Sequence, residues 1–254
     1  MIDMHNHILM ACDDGPNSLE DTITLLKQAR DQGITDIIAT PHHLHRKYNN
    51  TYKSVSQTTL KLNQNLTIKQ LGVRIYPGQE IRISDRIFQE IEFEEIKGLN
   101  TSRYILIELP ISYVPSATSR IFYELLNKGF TPIIAHPERN KEIANDLSVL
   151  YDLINQGALS QITASSLLGN FGKHVRKISI QMMNCNLTHF IASDAHDAAI
   201  RPFQLGHLEK DVKLKDHQET INMLIDNANH IITNEPIFKS QPFLPKKKKW
   251  FKLF

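Results

Sequence analysis

The sequence predicts an α/β fold, and within that class a distorted parallel β/α barrel. Seven short runs rich in β-branched residues alternate with segments of helical period. No linker rich in Gly, Pro or Ser divides them, as a domain boundary would. A length of 254 residues suits one such barrel as well as two smaller domains. An open, doubly wound sheet with the same alternation is the structural alternative.

The strand candidates are short, and the segments between them are long enough for crossover helices. The strands are MIDMH (1–5), TDIIAT (35–40), VRIYPGQE (73–80), YILIEL (104–109), TPIIAH (131–136), LSQITA (159–164) and THFIAS (188–193). The helical candidates are 18–33, 51–71, 116–129, 142–157, 173–185 and 216–229. The first helix is the clearest, because Ser18 stands at an N-cap, Asp21 follows at N3 and Gly33 ends the pattern.

Composition narrows the function classes. Lys plus Arg (29) nearly balance Asp plus Glu (27), so no strong positive field points to nucleic acid as a partner. No apolar run is long enough to span a bilayer, and Asp3 interrupts the first residues, unlike in a signal peptide. The two cysteines, Cys12 and Cys185, suit a reducing cytoplasm, where we expect the protein. Histidine is the outlier, with 12 copies.

Histidines and carboxylates stand at the ends of six of the seven predicted strands. In chain order they are His5 and His7, His42, Glu80, Glu108, His136, Asp194 and His196. The carboxyl ends of parallel strands in a barrel open on one face, where such enzymes build their sites. Buried charges without partners are costly, so bound cations are the natural compensation.

These ligand types also restrict the metal. Mixed imidazole and carboxylate ligands suit manganese, iron or zinc, and their number indicates more than one ion. Asp14, in the CDDGPNS stretch after the first strand, is a further candidate ligand. We interpret Asp13 as a turn residue beside Gly15 and Pro16 rather than as a ligand.

The motifs HxH, TPHH, Gly-x-Glu, HPER and SDAH resemble those of the PHP (polymerase and histidinol phosphatase) metallophosphoesterases. They are most similar to the bacterial tyrosine-protein phosphatases of capsular polysaccharide synthesis, the CpsB/CapC type. The segment QITASSLLGNFGK (161–173) is also similar to that subgroup. The resemblance implies a distorted (β/α)7 barrel with two to three manganese ions. It also implies hydrolysis of phosphotyrosine on the tail of an autophosphorylated capsule-assembly kinase.

Residue by residue, the resemblance implies a partition of the ligands among three ions. The first ion takes His5, His7, Glu80 and Asp194, the second takes Glu80, Glu108 and His136, and the third takes Asp14, His42 and His196. Arg139 and Arg201 follow metal-bearing strands and are candidates to clamp the phosphate in forked hydrogen bonds. His43 and Asp197 are candidates for the general acid or for orienting a ligand.

Other phosphate chemistries lack their signatures. A cysteine phosphatase needs an arginine six positions after its cysteine, but Ser18 and Ile191 stand there. No Walker-type phosphate loop occurs. The other histidines are expected on the surface or in the core: His45, His174, His189, His207, His217 and His230. Two alternatives to a tyrosine phosphatase stay open, a phosphatase of a small metabolite such as histidinol phosphate and a non-catalytic kinase-binding regulator.

Two segments complete the predicted organisation. Residues 1–245 form a single metallophosphatase domain, and 246–254 form a basic and aromatic tail, KKKKWFKLF. The tail is suited to contact an anionic inner membrane leaflet or an acidic kinase tail, or it is merely solvated. The polar, tyrosine-bearing segment 43–57 is expected to border an open cleft at the barrel mouth.

Overall fold

A computed structural model describes residues 1–245, and the predicted tail at 246–254 lies outside the described residues. The described part contains nine strands, all paired in parallel. They are β1 (Ile2–Asp3), β2 (Asp36–Ala39), β3 (His42–His43), β4 (Arg74–Pro77), β5 (Glu80–Arg82), β6 (Tyr104–Glu108), β7 (Thr131–Ala135), β8 (Leu159–Thr163) and β9 (Phe190–Ala192). Each of the seven predicted strands is present, which confirms the parallel α/β class.

The structure has two more strands than the sequence predicted, because β3 lies beyond the predicted strand 35–40 and the predicted strand 73–80 is divided. Pro41 separates β2 from β3, because proline has no N–H for the ladder. Gly78 separates β4 from β5, so the prediction of one strand over 73–80 was wrong in detail. A Cβ at Gly78 would lie 2.8 Å from side-chain atoms of both Ile38 and Leu99, so only glycine fits at this bend. After the bend, β5 pairs with both β3 and β6.

Backbone pairings join the strands into two parallel sheets, which one isolated bridge links. One sheet has the order β1-β2-β4 and the other β3-β5-β6-β7-β8-β9. A parallel bridge between Asn6 and Ala195 links the continuations of β1 and β9. Backbone hydrogen bonds support it on both sides, from His7 N to Ala195 O and from Asp194 N to His5 O, each 2.8 Å long. The residues after β1 therefore meet those after β9, next to the site described below.

Nine of the described helices lie between strands in the chain, and the last two follow the last strand. They are α1 (Leu19–Asp31), α2 (Tyr52–Gln64), α3 (Leu66–Leu71), α4 (Arg86–Glu92), α5 (Thr118–Asn127), α6 (Lys141–Asn145), α7 (Leu147–Asn155), α8 (Ala164–Leu168), α9 (Lys173–Asn184), α10 (Gln218–Asp226) and α11 (Ala228–Thr233). Ser18 caps α1 by accepting from Asp21 N, as predicted. The predicted helix 51–71 is divided at Asn65, and 142–157 at Asp146. Each of these residues ends one helix and caps the next with its side chain.

The core has two parts that follow the strand alternation. Ile105 and Ile107 face the helices in the larger cluster, whereas Leu106 faces the barrel interior with Ile133 and Phe190. Apolar side chains thus fill the barrel beneath the strand ends, and charged groups above them are held away from bulk water. None of the helices within residues 1–245 is both long enough and apolar enough to cross a membrane.

Candidate metal centre

The fold brings all nine predicted ligands to the carboxyl ends of the strands. Their positions are His5 and His7 after β1, Asp14 on the loop before α1, His42 on β3, Glu80 at the start of β5, Glu108 at the end of β6, His136 after β7, and Asp194 and His196 after β9. They extend from a buried floor to an accessible rim. The side chains of His5 and His7 are 0% exposed, whereas that of Asp14 is 44% exposed.

Four side chains converge at the floor of the site. The Nε2 atoms of His5 and His7 each lie 3.4 Å from a Glu80 oxygen and 3.4 Å from Asp194 Oδ1. These separations are too long for good hydrogen bonds. Two atoms that bind one cation through bonds of about 2.1 Å lie at most about 4.2 Å apart, so these separations allow a shared ion. The same four residues were predicted to hold the first ion.

Two further groups of ligand atoms surround this floor. His7, Asp14, His42 and His196 form one group, and His42, Glu80 and Glu108 form another, with ligand atoms within 4.8 Å of one another in each. His136 contacts Glu80 instead, with Nε2 2.9 Å from Oε1. Here His42 Nδ1 lies 2.8 Å from Glu80 Oε2, so His42 adjoins two groups. The predicted partition among three ions therefore stays a prediction.

Buried donor and acceptor atoms without partners show that the residues fit a metal. Within residues 1–245, six candidate ligand atoms are buried and lack a hydrogen bond: His5 Nε2, His7 Nε2, His42 Nδ1, Glu80 Oε2, Glu108 Oε2 and His196 Nε2. Two of them, His42 Nδ1 and Glu80 Oε2, lie 2.8 Å apart without hydrogen-bond geometry, and Glu108 Oε2 has an ion pair with Arg82. Leaving one buried polar atom unsatisfied costs about 1–3 kcal/mol, and more for a charged group. Six such atoms in one cluster are explained if they coordinate cations.

The charges of these groups depend on one another. Burial disfavours ionisation of Glu80, but the imidazoles of His5 and His42 hold its pKa well below the usual range. Burial and the Glu80 carboxylate raise the pKa of Glu108. Burial disfavours a charged His5, but Glu80 and Asp194 raise its pKa. Carboxylates that draw protons onto neighbouring imidazoles form a site in which cations can replace those protons.

Asp13 has a role that sequence reasoning missed. It forms the expected turn, since Gly15 N donates to its Oδ1 at 3.0 Å. Its Oδ2 also lies 2.6 Å from His7 Nδ1 and accepts from His42 N at 3.0 Å. A carboxylate at Nδ1 fixes the His7 tautomer and leaves Nε2 free to bind metal. Asp13 therefore orients two ligand-bearing segments.

Gln161 and Arg82 are two more residues that the sequence analysis did not place at the site. Gln161 Oε1 lies 2.8 Å from His5 Nδ1, so this glutamine orients His5 as Asp13 orients His7. Arg82 pairs with Glu108 at 2.9 Å. A signal for Arg82 was present, because residues i and i+2 share a strand face and Glu80 was already a candidate. For Gln161 the sequence offered no distinct signal, because Ser160 and Thr163 of the same strand are also polar.

The two predicted phosphate-binding arginines meet at one carboxylate. Arg201 Nη2 donates to Asp194 Oδ2 at 2.8 Å, and Arg139 Nη2 donates to the same oxygen. Their side chains are 33% and 14% exposed. Asp194 thus holds two guanidinium groups beside the ligand cluster, where they keep further N–H donors.

Three other polar residues have clear contacts. His43 Nε2 lies 3.5 Å from Glu90 Oε2 on α4, and Asp197 accepts from three backbone N–H groups of the loop ending at Arg201. The hydrogen bonds of Asp197 favour positioning over the role of general acid. His45, expected outside the site, stacks on the His42 ring with centroids 4.8 Å apart.

The fold and site define a metal-dependent enzyme of the β/α-barrel class. A sequence profile for capsular polysaccharide synthesis, CpsB/CapC, matches residues 1–233, and the chain belongs to this family. CapC of Staphylococcus aureus is 52% identical over 254 residues, with full coverage of both chains. The tyrosine-protein phosphatase YwqE of Bacillus subtilis is 41% identical, also with full coverage.

Solved structures agree with this assignment. A crystal structure from a study of YwqE of Bacillus subtilis and CpsB of Streptococcus pneumoniae superposes with a TM-score of 0.90. It is 42% identical and covers 97% of this chain and 100% of its own. Those proteins are described as metal-dependent tyrosine phosphatases. The family resemblance and the fold class inferred from the sequence are thereby confirmed.

Proposed function

We propose that the protein is a metal-dependent protein-tyrosine phosphatase that acts in the regulation of capsular polysaccharide synthesis. The convergence of buried imidazole and carboxylate atoms that lack hydrogen bonds, beside two arginines, carries the proposal. The relatives YwqE and CpsB, described as metal-dependent tyrosine phosphatases, support it.

The ions proposed for this centre are two to three manganese ions. The nine ligands supply only nitrogen and oxygen atoms, a set that suits manganese and also admits iron or zinc. When bound, such cations lower the pKa of water and neutralise phosphoryl charge. Metal analysis of the protein purified without added metal would identify the ions.

The protein's own residues have distinct tasks in this proposal. Arg139 and Arg201 bind phosphoryl oxygens, and Asp194 holds both guanidinium groups in place. Arg82, 25% exposed and paired with Glu108, adds positive charge at the rim. Asp13 and Gln161 keep His7 and His5 in their tautomers. An ordinary phenol pKa of about 10 makes tyrosinate a better leaving group than an alkoxide.

The proposed substrate is a phosphotyrosine on the tail of an autophosphorylated capsule-assembly kinase. The rise in exposure from His7 to Asp14 supports it, because a phosphotyrosine on a chain must reach the floor from an open rim. Steady-state kinetics on tyrosine-rich phosphopeptides, phosphoserine peptides and histidinol phosphate test this choice. Faster hydrolysis of histidinol phosphate than of any phosphotyrosine peptide would overturn it.

We further propose that residues 246–254 attach the protein to the inner face of the plasma membrane. Each basic residue near an anionic surface contributes about 1 kcal/mol, and the tail has five lysines with four large apolar residues. The described residues that lead into it include Phe243 and Leu244, 49% and 43% exposed. Trp250 is the only tryptophan, so its emission reports on the tail alone. A blue shift with phosphatidylglycerol vesicles is expected, and its absence would contradict the attachment.

A further inference from the structure

The segment QITASSLLGNFGK (161–173) contains residues that the proposed reaction leaves without a role. It runs from β8 through α8 into a turn before α9. Gln161, at its start, orients His5. The rest of the segment contacts the HPER motif at 136–139, which contains Arg139.

Glu138 accepts hydrogen bonds from residues at the beginning of α8. This glutamate is 0% exposed, and its Oε1 accepts from Thr163 N at 3.0 Å, Thr163 Oγ1 at 3.1 Å and Ser166 Oγ at 2.7 Å. Thr163 in turn caps the helix by accepting from Ser166 N. Because Glu138 and Arg139 are adjacent in the chain, these bonds fix α8 relative to the arginine.

Two glycines build the turn that follows α8. Gly169 and Gly172 have φ values of 90° and 92°, a region that residues with a Cβ rarely adopt. Gly172 N donates to Gly169 O at 2.9 Å, and Asn170 N donates to Ser165 O at 3.0 Å. The closed turn holds Phe171 in one place, although its side chain is 42% exposed.

The Phe171 ring packs against the guanidinium of Arg139. The Arg139 Cζ lies 4.5 Å from the ring centroid. Arg139 Nη2 donates to Asp194, while its buried Nε has no hydrogen-bond partner in residues 1–245. One contact is thus a hydrogen bond from Nη2, and the other places the guanidinium carbon over the aromatic ring. Together they restrict a side chain that otherwise has about 2 kcal/mol of rotamer entropy to lose on binding.

We propose that Phe171 is a positioning residue for the phosphate clamp. Its ring holds the Arg139 guanidinium in the orientation in which its free N–H groups meet a phosphoryl oxygen. Phe171 acts through Arg139 and does not itself need to touch the substrate. This inference rests on the proposed function, because it requires Arg139 to bind phosphate.

The test measures binding of inorganic phosphate to the manganese-loaded full chain by calorimetry. Phe171→Leu removes the π face and should weaken binding about three- to tenfold, the range of a partly desolvated cation–π contact. Phe171→Trp keeps the π face and should bind within twofold of wild type. In an Arg139→Ala background, Phe171→Leu should have no further effect. Phe93→Leu, at a 67% exposed phenylalanine, is the matched control and should bind as wild type does.

Two results would overturn the inference. One is wild-type phosphate binding by Phe171→Leu. The other is that Phe171→Leu weakens phosphate binding equally in the wild-type and Arg139→Ala backgrounds. That result would mean that the Phe171 ring contacts the ligand or supports the fold. Turnover of a phosphotyrosine peptide separates this inference from the proposed function. If the wild-type protein has no turnover, but Phe171→Leu weakens phosphate binding only when Arg139 is present, the proposed phosphatase function is refuted. The positioning role of Phe171 is then still supported.

Discussion

Replacing Asp13 with Asn should weaken metal binding although no ligand is removed. Asp13 Oδ2 lies 2.6 Å from His7 Nδ1 and accepts from His42 N, while Oδ1 accepts from Gly15 N at 3.0 Å. An asparagine has only one acceptor oxygen. Whichever of the two carboxylate positions its NH2 group occupies, that group faces an N–H donor instead of accepting from it. A hydrogen bond to a charged group contributes about 1.5–3 kcal/mol, which corresponds to about 10- to 150-fold in affinity.

We therefore expect Asp13→Asn to bind Mn²⁺ about 10- to 100-fold more weakly, as is typical for residues that orient a ligand. Competition against a fluorescent chelator measures the affinity directly. Asp31→Asn, at a carboxylate whose side chain is 64% exposed, is the control and should bind as wild type does. Affinity within twofold of wild type in Asp13→Asn would refute the orienting role.

Three further predictions address the centre, the clamp and the core. Glu80→Ala should abolish activity in a folded protein, since Glu80 contacts several ligands, and turnover by a variant with normal metal content would contradict this. Arg201→Ala should retain metal and lose at least about tenfold in turnover, because a charged donor to the phosphate is gone, whereas an unchanged rate would make Arg201 a surface residue. Burial and the charge of Lys239 lower the pKa of His189 to about 3, so the folded state keeps it neutral. The free energy of unfolding should therefore fall as the pH drops below about 6.5, the pKa of His189 in the unfolded chain, by about 1.4 kcal/mol per pH unit. His189→Asn keeps an acceptor for Ser160 N. In chemical denaturation between pH 6.5 and 4.5, its free energy of unfolding should fall less steeply than that of the wild type. The same pH dependence in both proteins would refute the prediction.

One rule was sufficient to predict that eight of the nine candidate ligands lie together, and only Asp14, on the loop before α1, needed a separate argument. That these residues bind metal stays a prediction. Parallel strands in a barrel end on one face, so residues such as Glu80 and His136 must meet there whatever the details of packing. The class of fold followed from the same alternation of strands and helices.

The supporting contacts were harder to predict, because they depend on side-chain positions. Asp13 lies in a turn in the sequence, and only the folded loop shows its oxygen at His7 Nδ1. The helix division at Asn65 was missed because Leu66 follows Leu62 at a helical spacing in the sequence, whereas the structure exposes Leu66 and buries Ile68. Helix α8 has five residues, too few for a periodic pattern to be recognised.

The most direct test of a metal-dependent tyrosine phosphatase combines metal analysis with turnover of a phosphotyrosine peptide. The protein is measured as purified, after chelation, and after manganese is restored. We predict two to three equivalents of metal, loss of turnover on chelation and recovery on restoration. Full turnover by protein that metal analysis shows to be free of metal would contradict the account.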